Sequence, residues 1–104
     1  MTLSASKEEH IYQEVTAHLA KKFKVKLEDG VNEQTDLFLE GLIDSFGFVE
    51  LVTFLEETFQ IHFEESEIKF ESLNTVSNIV ATVKKKTNSV ALTVLQEVSP
   101  HHSK

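Results

Sequence analysis

The sequence predicts an all-α fold, a four-helix bundle with a long first loop and a short third helix. Three observations predict it. Turn residues are scarce, one Pro and three Gly in the whole chain, fewer than a domain of many short strands needs. Apolar residues recur at three- and four-residue spacing in three separate stretches. The length of 104 residues fits one small domain, and eight Phe with no Trp supply most of its bulky core volume.

The first helix is expected over about residues 7 to 24. Ser4 or Ser6 can cap it, and Glu8 and Glu9 suit the positive end of its dipole. Lys21, Lys22 and Lys24 suit the other end. Ile11, Val15, Leu19 and Phe23 form a stripe every four residues, with Tyr12 beside them. Residues 25 to 44 then form a long connection with Gly30 and Gly41. Val31, Leu37, Phe38, Leu42 and Ile43 are apolar enough to pin it onto the bundle. A connection this long in a small domain often carries function.

The second helix is expected over about 45 to 58. At 100° per residue, Phe48, Leu51, Val52, Leu55 and Phe59 share the core arc. Phe46, Val49, Glu50, Thr53, Glu56 and Glu57 share the opposite arc, and Phe54 sits on the flank. Residues 60 to 73 read as a short turn or helix at about 64 to 70. Asn74 or Thr75 caps the last core helix, about 76 to 86, whose stripe is Val76, Ile79, Val80 and Val83 and which Lys84, Lys85 and Lys86 close. Phe23, Phe59 and Phe70 read as core fillers. Residues 1 to 86 thus form the domain and 87 to 104 an extension. In that extension Val90, Val94 and Val98 have helical spacing, while Val90, Leu92 and Val94 also alternate. It can lengthen the helix, dock or stay loose, and residues 100 to 104 are expected to be disordered.

The formal charge is −7. Between Leu27 and Thr75 there are thirteen acids and one base, Lys69, so that segment is −12 and the rest of the chain +5. This argues against nucleic-acid binding, which needs a basic footprint. It fits either a solvated face or a surface that meets basic partners. Cys is absent, which removes disulfides and thiolate chemistry. No apolar run approaches the roughly 18 residues of a membrane span, and residues 1 to 10 lack a signal-peptide core. A cytoplasmic monomer is expected. His10 and His18 read as surface residues, and His101 and His102 lie in the tail. No metal site is expected, since the acids at 64, 65 and 67 lack calcium-loop spacing. Ser45 has no base or glycine elbow to make it a hydrolase nucleophile, so no enzyme activity is expected.

Ser45 nevertheless stands out. It opens the second helix, where backbone N–H groups have no helical partner and an anion is favoured. Phe46 and Val49 offer a small apolar grip among acids beside it. Asp-Ser before a helix is also a common capping arrangement, which explains the pair without chemistry. Gly47 in the first turn costs about 0.5–1 kcal/mol relative to Ala, a hint that something needs space there.

Asp44-Ser45-Phe46, followed by Val49-Glu50-Leu51-Val52 and Leu55-Glu56-Glu57-Thr58-Phe59, resembles the acyl carrier protein family without a gap. The likeness extends more loosely over residues 7 to 86, through Leu37 to Gly41 and Leu73-Asn74-Thr75-Val76. The resemblance implies a bundle of acyl-carrier type whose Ser45 carries 4′-phosphopantetheine. It implies that Asp44 helps a phosphopantetheinyl transferase and its Mg²⁺ engage the site. By the same likeness Phe46, Val49, Glu50, Thr53, Glu56 and Glu57 meet basic patches of partner enzymes, which load, transfer or elaborate the cargo. Phe48, Leu51 and Leu55 match positions bordering an acyl cavity. A transferase would move the arm from coenzyme A to the Ser45 hydroxyl, and its thiol would hold an acid as a thioester. The first expectation for that cargo is an acyl chain of fatty-acid or related lipid or polyketide-type biosynthesis. Phe46 and Gly47 depart from the common pattern, and Asp-Ser-Phe-Gly resembles the D-alanyl carrier subgroup, so an aminoacyl or peptidyl carrier is the alternative. An unmodified helical interaction module is the reading from another class.

Overall fold

The computed structural model describes residues 7–28 and 30–97, with side chains described as far as Thr87. Four helices form, and no strand is present among the described residues. They are α1 (Lys7–Phe23), α2 (Ser45–Phe59), the one-turn α3 (Phe70–Leu73) and α4 (Val76–Glu97), with a 3₁₀ turn at Glu65–Glu67. The all-α bundle expected from the sequence is the fold observed.

The core is built by the predicted stripes. Ile11, Val15 and Leu19 of α1 meet Val76, Ile79 and Val83 of α4, each at most 1% exposed. Leu51 and Leu55 of α2 close the third side at 0%. Burying each such side chain contributes about 1.5–3 kcal/mol, which outweighs the modest propensities of these helices. Leu37 and Ile43 pin the long connection by joining this core, and Val31, Phe38 and Leu42 pack against it. Leu37 does more than fill space. Its N–H donates to the Asn74 carbonyl (2.7 Å), and its own carbonyl accepts from Leu42 and Ile43 (2.9 and 3.1 Å). The connection therefore returns the chain to one place, the start of α2.

Several boundaries differ from the sequence reading. Helix α1 ends at Phe23, because Lys24 takes a left-handed conformation (φ 62°) and ends the helical run. The element expected at 64–70 is two pieces, the 3₁₀ turn and α3, separated by extended Ile68 and Lys69. Glu64 and Glu67 form a reciprocal capping box around the first piece. Thr75 is the residue that caps α4, its Oγ1 accepting from the Asn78 N–H at 3.0 Å. Helix α4 does not stop at 86 but runs to Glu97, so the lysines lie mid-helix rather than at its end. Lys84 pairs with Glu8 (2.9 Å) and Lys86 with Glu67 (2.7 Å), which ties α4 to α1 and to the 3₁₀ turn. Phe23 and Phe59 are half-buried, whereas Phe70 is 52% exposed and fills no core. The caps proposed at Ser4 and Ser6, and the tail from Val98 to Lys104, lie outside the described residues.

Candidate functional site

Asp44 sets the geometry of the site. It holds an extended conformation, and its Oδ1 accepts the Gly47 N–H at 2.8 Å, while its carbonyl accepts the Phe48 N–H at 2.9 Å. This is an N-cap, so Ser45 becomes the first residue of α2. Asp44, Ser45 and Phe46 are all exposed. The N–H groups of Ser45 and Phe46 belong to the first turn, which has no intrahelical acceptors. The Ser45 hydroxyl thus stands in water at the positive end of a helix, a setting that favours an attached phosphodiester.

Gly47 explains itself in the structure. A Cβ there would lie 2.7 Å from Ile43 Cγ2 and 2.8 Å from Phe23 Cε1. The glycine lets the end of α1 and the connection close on the first turn of α2. The space it leaves is taken by the fold itself.

The outer arc of α2 lies as the periodicity places it, with one exception. Phe46 (84%), Val49 (62%), Glu50, Thr53 and Glu57 are exposed. Glu56 is half-buried. Its Oε2 accepts the Phe63 N–H at 2.9 Å and lies 3.4 Å from His62 Nδ1. Glu56 thus lies less outward than the other acids of the arc, with one oxygen taken up by the fold. It fastens the chain after α2, because the left-handed Gln60 (φ 56°) turns residues 61–63 back toward it. The expected cavity-bordering residues Phe48 (8%), Leu51 and Leu55 (both 0%) are packed into the core. Phe48 sits in an aromatic cluster with Phe38 (5.4 Å) and Phe70 (4.5 Å), and Phe38 meets Phe70 at 5.1 Å.

His18 is half-buried rather than freely exposed. Its ring stacks on Phe54 (3.7 Å, 11°) and meets Phe23 edge-on at 5.7 Å, and its Nε2 is buried without a hydrogen-bond partner. Burial, then the nearby Lys22, lower its pKa below the ordinary imidazole value. It borders a groove of about 330 Å³ between α1 and α2 that also takes in Lys22, Val49, Glu50 and Glu57. The aromatic ring stack explains why Phe54, on the flank of α2, is only half-exposed.

The sequence reading did not single out two further exposed apolar residues. Leu39, in the connection, is 81% exposed, and Phe70 of α3 is 52% exposed. Phe70 carried no usable signal, since an isolated Phe in an irregular stretch reads equally as core. Leu39 carried one. Asp36 stands three residues ahead of it, the spacing at which a carboxylate caps a turn. Asp36 Oδ1 accepts the N–H groups of Leu39 (2.8 Å) and Phe38 (3.1 Å). Those bonds, chiefly the one from Leu39 and then the one from Asn74, hold the Asp36 carboxyl below the ordinary carboxylate range.

No group of three or more potential metal-ligating side chains gathers among the described residues. No helix among them is long and apolar enough to cross a membrane.

Comparison with known proteins gives a consistent picture. The family pattern described as "Phosphopantetheine attachment site" matches residues 13–83. The chain is 44% identical over 70 residues to a D-alanyl carrier protein of Bacillus velezensis, covering 65% of this chain and 86% of that protein. It is 46% identical over 54 residues to the D-alanyl carrier protein of Streptococcus uberis, covering 52% and 68%. It is 40% identical over 58 residues to that of Abiotrophia defectiva, covering 54% and 73%.

Proposed function

This chain belongs to the phosphopantetheine-attachment family of carrier proteins, and from that premise we propose that it is an aminoacyl carrier of the D-alanyl type with its arm on Ser45. The chain is a carrier of covalently bound 4′-phosphopantetheine, and its family serves enzymes rather than catalysing reactions itself. The observation that carries the assignment to Ser45 is its exposed position as the first residue of α2, fixed by the Asp44 cap. These residues fit the group: the hydroxyl is reachable, the helix end favours the phosphodiester, and Gly47 keeps the turn closed beneath it. When attached, the arm supplies a thiol that holds a carboxylic acid as an activated thioester.

The chain's own residues then present rather than transform. The exposed Asp44 would help a phosphopantetheinyl transferase and the Mg²⁺ it brings engage the site. Phe46, Val49, Glu50, Thr53 and Glu57 form an apolar strip edged by acids, matched to enzymes with basic docking patches. Such docking is modest and salt-sensitive, because exposed charges are screened within about 8 Å at physiological ionic strength. Action in the cytoplasm is part of the same proposal.

The cargo reading shifts from the first expectation to its alternative. Relatives named D-alanyl carrier proteins, 40–48% identical, favour an amino acid over a fatty-acyl chain. The close packing of Phe48, Leu51 and Leu55 agrees with a small cargo that needs no apolar shelter. The test is to purify the arm-bearing protein from its host, eject the arm in a mass spectrometer and weigh what it holds. Alanine, with its configuration read by chiral chromatography after hydrolysis, is the expected result. A fatty or polyketide chain overturns the aminoacyl reading.

A further inference from the structure

Among the apolar side chains of the 25–44 connection, Leu37 and Ile43 are sealed at 0% and 3%, while Leu39 between them is 81% exposed. Its exposure does not come from a loose backbone. Besides the two N–H groups on Asp36 Oδ1, the Asp36 Oδ2 accepts Asn74 Nδ2 at 2.8 Å. The Glu40 N–H reaches the Asp36 carbonyl and the Gly41 N–H the Phe38 carbonyl, both at 3.0 Å. Gly41 ends the turn with φ 73°, a conformation that residues with side chains adopt rarely. The turn from 36 to 41 is thus capped at its start, closed at its end and moored to the junction before α4.

It is also moored to the site. The Phe38 ring meets Phe48 edge-on at 5.4 Å, and Phe48 lies one turn along α2 from Ser45. Leu39 is therefore a large exposed apolar side chain on a hydrogen-bonded turn, six residues before Ser45 in the chain, and the Phe38 ring next to it anchors that turn on α2. A fixed apolar group costs little further ordering when a partner covers it. Exposed Glu40 and Asp44 follow it in the chain, so a complementary pocket is apolar and edged by basic groups.

We infer that the turn 36–41 is a docking element for the transferase that modifies Ser45, with Leu39 entering an apolar, base-edged pocket of that enzyme and Asp36 as a positioning residue. The inference rests on the reading of Ser45 as the attachment residue. Neither Leu39 nor Asp36 touches the reacting atoms.

The test measures KM and kcat for coenzyme-A-dependent modification of the full-length unmodified chain by a phosphopantetheinyl transferase of its host. Leu39→Asp raises KM about tenfold, the loss of one apolar anchor, with kcat and the thermal midpoint nearly unchanged. Leu39→Met restores KM. Asp36→Ala raises KM in the same direction and speeds hydrogen exchange at the Leu39 amide. Asp36→Asn, whose side-chain oxygen can still accept both amides though its NH₂ group cannot accept from Asn74, recovers a large part of both. A wild-type chain that is modified with a KM indifferent to Leu39, or a loss confined to kcat, overturns this inference alone. A wild-type chain that gains no arm overturns the reading of Ser45 as well.

Discussion

The Ser45 end of the molecule and the seam between α1 and α4 treat apolar residues in opposite ways. In the seam, Ile11, Val15, Leu19, Val76, Ile79 and Val83 are at most 1% exposed, and the Lys84–Glu8 pair bridges the same two helices. At the Ser45 end, Leu39, Phe46, Val49 and Phe70 are between 52% and 84% exposed. Residues of the seam are sealed inside the fold, whereas those of the Ser45 end stay open to solvent, where the proposed docking would cover them. A few residues serve both regions. Gly47 lets α1 close on the first turn of α2, Glu56 fastens the chain after it, and Asp36 holds the turn before it.

The sharpest way to separate the two regions is at Ser45 itself. Ser45→Ala is expected to abolish the mass gain on incubation with coenzyme A, Mg²⁺ and transferase, while the thermal midpoint hardly moves, since the hydroxyl is exposed. Leu51→Ala should do the reverse. It removes a fully buried side chain and is expected to cost about 2–5 kcal/mol, read as a lower denaturation midpoint, with modification retained below that midpoint. A normal midpoint in Leu51→Ala breaks the division of labour.

Gly47→Ala probes the boundary. Ala favours a helix by about 0.5–1 kcal/mol over Gly, but the added methyl would press on Ile43 and Phe23 at under 3 Å. The contact should win, with a net loss of about 1–2 kcal/mol in denaturant unfolding. A stabilised variant would mean that the helix end is looser than described. Reversing Glu50 and Glu57 to Lys should raise the KM for modification about three- to tenfold at low salt and less at high salt, with helical circular dichroism unchanged. Unfolding of that double variant would place those carboxylates in the fold rather than in docking.

The smallest effect concerns His18. Its folded pKa is lowered, first by burial and then by Lys22, so the unfolded chain takes up the proton more readily as pH falls. The stability due to the neutral ring is complete above the ordinary imidazole value of about 6.5 and is lost as pH drops below it. His18→Phe keeps the aromatic stack on Phe54 and should show a shallower loss of thermal midpoint between neutral pH and pH 5. Equal slopes would contradict the assignment.

How far the sequence was legible follows from the same contrast. Helix periodicity placed the seam and the inner face of α2 because core packing repeats every three or four residues. It placed Phe46, Val49, Glu50, Thr53 and Glu57 outward for the same reason. It failed where side chains bond to distant backbone. Glu56 looked like its neighbours on the wheel, yet the left-handed Gln60 brings the Phe63 N–H to it. His18 looked like a polar residue on a polar face, yet a groove between helices takes it in. The third helix was blurred because its capping box lies inside an irregular stretch. Cargo was least legible, since the same residues around Ser45 were compatible with an acyl and with an aminoacyl load.

The central claim is that the exposed hydroxyl at the head of α2 bears the arm. Its most direct test is fragmentation mass spectrometry of the protein taken from its host or modified with coenzyme A. The account predicts one phosphopantetheine, localised to Ser45, in a chain that otherwise keeps its native mass. A modification found on any other residue, or no modification under either condition, contradicts it.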